Sequence, residues 1–170
     1  MIKLFWILPT LFVLNAKAQV KKDSVFLTRN DLVGVWQRNY KEVGNGLAQN
    51  FRFFRDSTFE VHFSDFGDDV RDTRELKGTY RLVNKKLYLT IRSRVVYVDS
   101  KITISESSED ANIFDVTGTR KEIPEPDPKE YPVPISITVA GKGKIMLDNE
   151  TYYKLTKDEI KNEGIDPTGF

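Results

Sequence analysis

The chain carries a single histidine, His62, and its neighbours two positions away, Glu60 and Ser64, complete the residue types of a Ser/His/acid set. In the run Thr58-Phe59-Glu60-Val61-His62-Phe63-Ser64 these three alternate with Phe59, Val61 and Phe63, so an extended strand puts the polar three on one face and the apolar three on the other. Positions i and i+2 stand about 6.6 Å apart along a strand, whereas proton transfer needs about 2.6–3.2 Å. The expectation is a solvated polar face and no catalytic residue. One histidine without any cysteine gives no thiol nucleophile, no disulfide framework and too few ligands for a zinc centre. The segment Asp65-Phe66-Gly67-Asp68-Asp69-Val70-Arg71-Asp72 clusters carboxylates that a hard cation favours. Its spacing is not that of an EF-hand, and Arg71 opposes a cation, so neither a metal nor a cofactor is expected.

The elements that must carry these residues are strands. The same alternation recurs in Lys86-Leu87-Tyr88-Leu89-Thr90-Ile91-Arg92, and further candidates are 34–41, 48–55, 76–83, 95–105, 112–119, 135–140, 144–147 and 151–155. Short polar or glycine-bearing joints separate them, among them Arg55-Asp56-Ser57, Asn84-Lys85-Lys86 and Gly141-Lys142-Gly143. No stretch between strands holds the dozen helical residues of a parallel crossover. The fold class is therefore all-β: an up-and-down antiparallel meander of about 8–10 strands, closed into a barrel because closure removes exposed edges. The inward face then carries Phe59, Val61, Phe63, Tyr80, Leu82, Leu87, Leu89, Ile91, Tyr97, Ile102, Ile104 and Phe114, with Tyr80 or Tyr97 hydroxyls placed to orient a guest. A barrel of eight strands is also just wide enough for its own side chains to fill it.

At the N-terminus, Met1-Ile2-Lys3, the apolar run 4–14 and Asn15-Ala16-Lys17-Ala18 have the three regions of a secretory signal peptide, which sets residues 1–18 apart. The run is too short to span a bilayer. Its removal takes Lys3 and Lys17 from the 26 basic residues, leaving 24 against 25 acidic ones, interspersed along the chain. No basic face for nucleic acid follows from that balance. Residues 19–31 read as a lead-in, 32–156 as the barrel and 157–170 as a short helix and tail, the helix opened by the capping box Thr156-Lys157-Asp158-Glu159. Within the barrel, residues 120–134 hold five of the seven prolines and read as a stiff loop outside any ladder, spanning the barrel end, with Tyr131 available to a protein partner.

Leu32-Val33-Gly34-Val35-Trp36 has the G-x-W form that opens the first strand of lipocalins. With Phe54-Arg55-Asp56-Ser57-Thr58-Phe59, the run from Gly78 to Leu89 and Tyr153-Lys154-Leu155-Thr156, the chain resembles the small lipocalin-like domains exported by bacteria. The resemblance implies an up-and-down barrel with an apolar ligand cavity, in which Gly34 and Trp36 build the closed end and Lys154 stacks over the indole. It implies an exported protein, secreted or periplasmic, that binds a small hydrophobic ligand through Phe59, Val61, Phe63, Tyr80, Leu82, Leu89, Ile91, Tyr97, Ile104 and Phe114. The alternative is a filled barrel that engages a protein through its loops.

Overall fold

Alternating apolar and polar residues form strands throughout the computed structural model, which describes residues 27–39, 49–63, 73–106 and 112–170. In chain order these are β1 (Gly34–Arg38), β2 (Asn50–Phe53), β3 (Thr58–His62), β4 (Thr73–Val83), β5 (Lys86–Glu106), β6 (Asn112–Pro124), β7 (Ile135–Gly141), β8 (Lys144–Leu147) and β9 (Glu150–Lys154). All pairings are antiparallel. β1, β2, β3, β4, β5, β7, β8 and β9 hydrogen-bond in that order, and β9 returns to β1, so eight strands close a barrel as the alternation predicts. β6 pairs with β5 alone, and beyond Val98 the two continue as a ribbon. The turn between β4 and β5 is local chemistry: Asn84 and Lys85 take φ of +49° and +61°, the two left-handed residues of a type I′ hairpin.

The inward face is aromatic. Trp36 stands opposite Phe51, Phe51 opposite Val61, Phe53 opposite Phe59, Tyr80 opposite Leu89 and Ile145 opposite Tyr152. These residues join Leu32, Leu87, Ile137 and Leu147 in one buried cluster. Rings meet in favoured geometries: Phe51 and Phe53 stack at 5.7 Å between centroids, while Tyr152 meets Phe51 edge-on at 5.5 Å and Tyr80 meets Phe53 edge-on at 5.0 Å. Burying each such side chain is worth about 1.5–3 kcal/mol, which makes this cluster the main support of the barrel.

One inserted residue changes the parity of β5. Gly78 pairs with Ile91 but Lys77 pairs with Ser93, so Arg92 is a bulge. Gly78 permits it, since a Cβ there would lie 1.9 Å from the Thr90 carbonyl oxygen and 3.0 Å from the Phe59 ring. Leu87, Leu89 and Ile91 precede the bulge and face inward. Ser93, Val95 and Tyr97 follow it and share the face of Lys77, Glu122 and Arg120 instead. The expected inward position of Tyr97 is corrected accordingly: alternation counted through Arg92 as if the strand were regular.

The proline-rich segment also differs from expectation. Its first residues belong to the ladder, β6 reaching Pro124 opposite Ser93. Residues 125–134 then run beside β5 rather than across the barrel end: Glu125 N–H donates to the Arg92 carbonyl and Tyr131 N–H to that of Leu89, each at 2.7 Å. The segment fills the wall between β6 and β7 where its prolines cannot supply a continuous ladder.

Two short helices finish the fold. α1 (Arg29–Leu32) is capped by Thr28 and Asp31 and delivers Leu32, fully buried, to the core. α2 (Lys157–Asn162) has the predicted Thr156/Glu159 capping box and buries Ile160 against Val35 and Leu155 on the outside of the barrel. A 3-10 turn, Pro167–Gly169, follows, and the Phe170 ring stacks on Phe54 at 4.9 Å.

Candidate functional site

The barrel interior accounts for most of the candidate binding residues. Phe59, Val61, Tyr80 and Leu89 are buried in the central cluster, and Phe63, Leu82 and Ile91 are half-buried against its edge with Leu76. Tyr80 does not offer its hydroxyl to a guest, because that group donates to the Phe54 carbonyl at 3.1 Å. Tyr97 lies on the other face of the sheet, 5.6 Å from the Arg74 guanidinium. The backbones of Ile104 and Phe114 pair across β5 and β6; their side chains lie outside the described residues, as do residues 1–18 and the acidic segment 65–72.

At the end of the barrel where β1 begins, Gly34, Trp36 and Lys154 come together. Lys154 is the cross-strand partner of Trp36, and its ammonium sits 5.3 Å from the indole centroid while donating to the Asp31 carbonyl at 3.0 Å. The indole N–H donates to the Leu32 carbonyl at 2.6 Å, so the ring is fixed from both sides. Gly34 makes the crossing possible: it holds φ +132°, and a Cβ would fall 2.8 Å from Lys154 Cε. Burial pushes the Lys154 ammonium below its ordinary pKa.

Outside this end lies a cleft of about 670 Å³, lined by the cationic Arg29, Arg55, Lys154 and Lys157 together with the apolar Val33, Pro167 and Phe170. Among the described residues no aspartate or glutamate side chain lines it. Three acids near it in sequence are turned to their own backbones. Asp31 accepts from Thr28, Asp56 from Thr58 at 2.9 Å and Asp166 from Thr168 at 2.9 Å, and those hydrogen bonds hold all three carboxyls below their ordinary pKa. Asx turns and caps thus direct these carboxylates to local donors rather than into ion pairs with the cations of the cleft, although Asp31 still acts on Lys154 through space.

A second cleft, of about 350 Å³, lies over the polar face of β2, β3 and β4 and is lined by Arg52, Glu60, His62, Glu75, Lys77 and Arg120 together with residues 163–166. Here the spacing argument about His62 is overturned. Its Nε2 stands 3.2 Å from Glu60 Oε2 and its Nδ1 3.3 Å from Glu75 Oε1. Long side chains lean along and across the strands and close a gap that the backbone leaves open; Ser64 lies outside the described residues. Lys77 reaches Glu60 at 3.3 Å and Glu122 at 3.6 Å, Arg52 reaches Glu60 at 3.7 Å, and Arg120 pairs with Glu75. The hydrogen bond from His62, followed by Lys77 and against the opposing effect of burial, draws the Glu60 carboxyl down to about 2. Desolvation lowers the Arg52 guanidinium. A neutral imidazole has one N–H and serves one glutamate; the imidazolium serves both.

Sequence reasoning missed the cation-lined cleft because its residues are scattered along the chain and have no spacing to recognise. The available sign was indirect: Thr28-x-x-Asp31, Asp56-x-Thr58 and Asp166-x-Thr168 each commit an acid to a local turn. No family model matches the chain, and searches of the curated proteins and of the solved structures returned no match.

Proposed function

We propose that this chain is an exported, non-catalytic, lipocalin-like binding protein for a small hydrophobic molecule. The observation that carries the reading is the closed eight-stranded barrel with a continuous apolar inner face, which gives way from the packed aromatic cluster to half-buried Phe63, Leu76 and Ile91. Trp36, Leu32 and Lys154 seal the opposite side, so the guest sits against β3, β4 and β5 rather than at the indole. The leader-like residues 1–18 support export. No helix among the described residues is long and apolar enough to cross a membrane.

The test is titration with Nile red, a neutral probe whose emission moves to the blue in an apolar site. Saturable binding that Ile91→Asn weakens at least fivefold, at unchanged circular dichroism, supports the reading. A folded protein that leaves the dye unshifted overturns it. A second reading, a filled barrel that engages a protein through residues 125–134, is favoured by the tight ring packing and by Tyr131 and Val133, which are 51% and 66% exposed.

A further inference from the structure

The cation-lined cleft at the Trp36 end is separate from the barrel interior and has a different chemistry. Arg29 and Arg55 carry planar guanidinium forks that match paired oxygens of phosphate or carboxylate, while Lys154 and Lys157 supply point charges. Among the described residues, none of the four has a carboxylate within ion-pair distance; Arg29 donates to the Ser57 hydroxyl at 2.9 Å, and Lys154 to the Asp31 carbonyl. Four cationic side chains around one space match an anion of more than one charge. The cleft is also larger than an inorganic oxyanion, and Val33, Pro167 and Phe170 give it an apolar wall.

We propose that this cleft binds an organic oxyanion carrying at least two negative charges, with its head among Arg29, Arg55, Lys154 and Lys157 and its body against Phe170. Asp31, Asp56 and Asp166 are part of the device. Each accepts from a neighbouring threonine, and none of the three forms an ion pair with the four cations. Gly34 lets Lys154 pass over the start of β1, bringing its ammonium to the cleft and the indole together.

The experiment is isothermal titration of the purified chain with inorganic phosphate, hexyl phosphate and citrate at low salt, repeated at high salt and with the variant R55E/K157E. Both substituted residues are at the surface, and circular dichroism and the thermal midpoint check that the variant folds. The expected result is binding of hexyl phosphate, citrate or both, weakened at least tenfold by R55E/K157E and by screening. Hexyl phosphate alone identifies a phosphate head, and citrate alone a carboxylate head. No heat from any probe at millimolar concentration, or equal binding by the folded R55E/K157E variant, overturns the site. Inorganic phosphate binding as tightly as hexyl phosphate overturns the role of the apolar wall. Nile red binding is read separately, so the interior and the cleft can each fail without the other.

Discussion

The two clefts on this barrel contain similar side chains arranged to opposite ends. Over β2, β3 and β4, cross-strand register sets Glu60 opposite Lys77 and Arg52, and His62 opposite Glu75, so each charge meets its complement. At the Trp36 end the cations come from α1, the β2–β3 turn, β9 and α2, while Asp31, Asp56 and Asp166 accept hydrogen bonds from nearby threonines and Glu150 of β9 pairs with Arg38. Strand pairing neutralises charge because opposite positions are fixed neighbours, whereas caps and turns commit an acid to local hydrogen-bond donors. The first arrangement is a cross-strand ion network; in the second, among the described residues, none of the four cations forms an ion pair.

That contrast is broken most forcefully at Glu75. Its side chain is 8% exposed and faces His62, Lys77 and Arg120. Glu75→Ala should therefore destabilise the barrel by about 2–3 kcal/mol, read by denaturant unfolding, because it leaves cations partly buried without their partner. A loss below about 0.5 kcal/mol would mean that the network is dispensable. A comparable effect comes from acid. The Glu60 carboxyl is near 2 in the folded chain against an ordinary 4.5, so its stabilisation is complete above pH 4.5 and disappears as the pH falls toward 2. Glu60→Gln should flatten that part of the stability profile, and an unchanged slope would assign the acid sensitivity elsewhere. At the other cleft, Lys154→Met should cost about 1 kcal/mol through the lost cation–π contact and should shift the Trp36 emission. The smallest effect sharpens the comparison: Lys157→Ala should change stability by less than about 0.5 kcal/mol, since Lys157 sits in the first turn of α2 where a cation opposes the helix dipole. Thermal melts of the two lysine variants, run side by side, check both.

The barrel was legible in the sequence because burial on one face imposes period-2 alternation, which short strands such as 58–62 and 86–91 carry undiluted. The capping box of α2 was legible for a similar reason, its chemistry being complete within four residues. Tyr97 was not, because one extra residue at Arg92 reverses the side chains from Ser93 to Val98 while leaving composition and alternation intact on either side. The contact of His62 with Glu60 and Glu75 was hidden by the reach of the glutamate side chains, which a backbone spacing does not contain. The cationic cleft was hidden more deeply, since Arg29 and Lys157 become neighbours only after the ring closes and α2 docks on Val35.

The prolines beside β5 have a mechanical consequence. A cylinder of paired strands resists tearing evenly around its circumference, but this one is stitched at intervals along one line, through Glu125, Glu130 and Tyr131. Under load or heat, the staves should part there first, between β5 and β7. The same imide rings that thin the stitching have no amide hydrogen to offer an intruding chain, so the weakest line of the wall is also poorly suited to templating an aggregate.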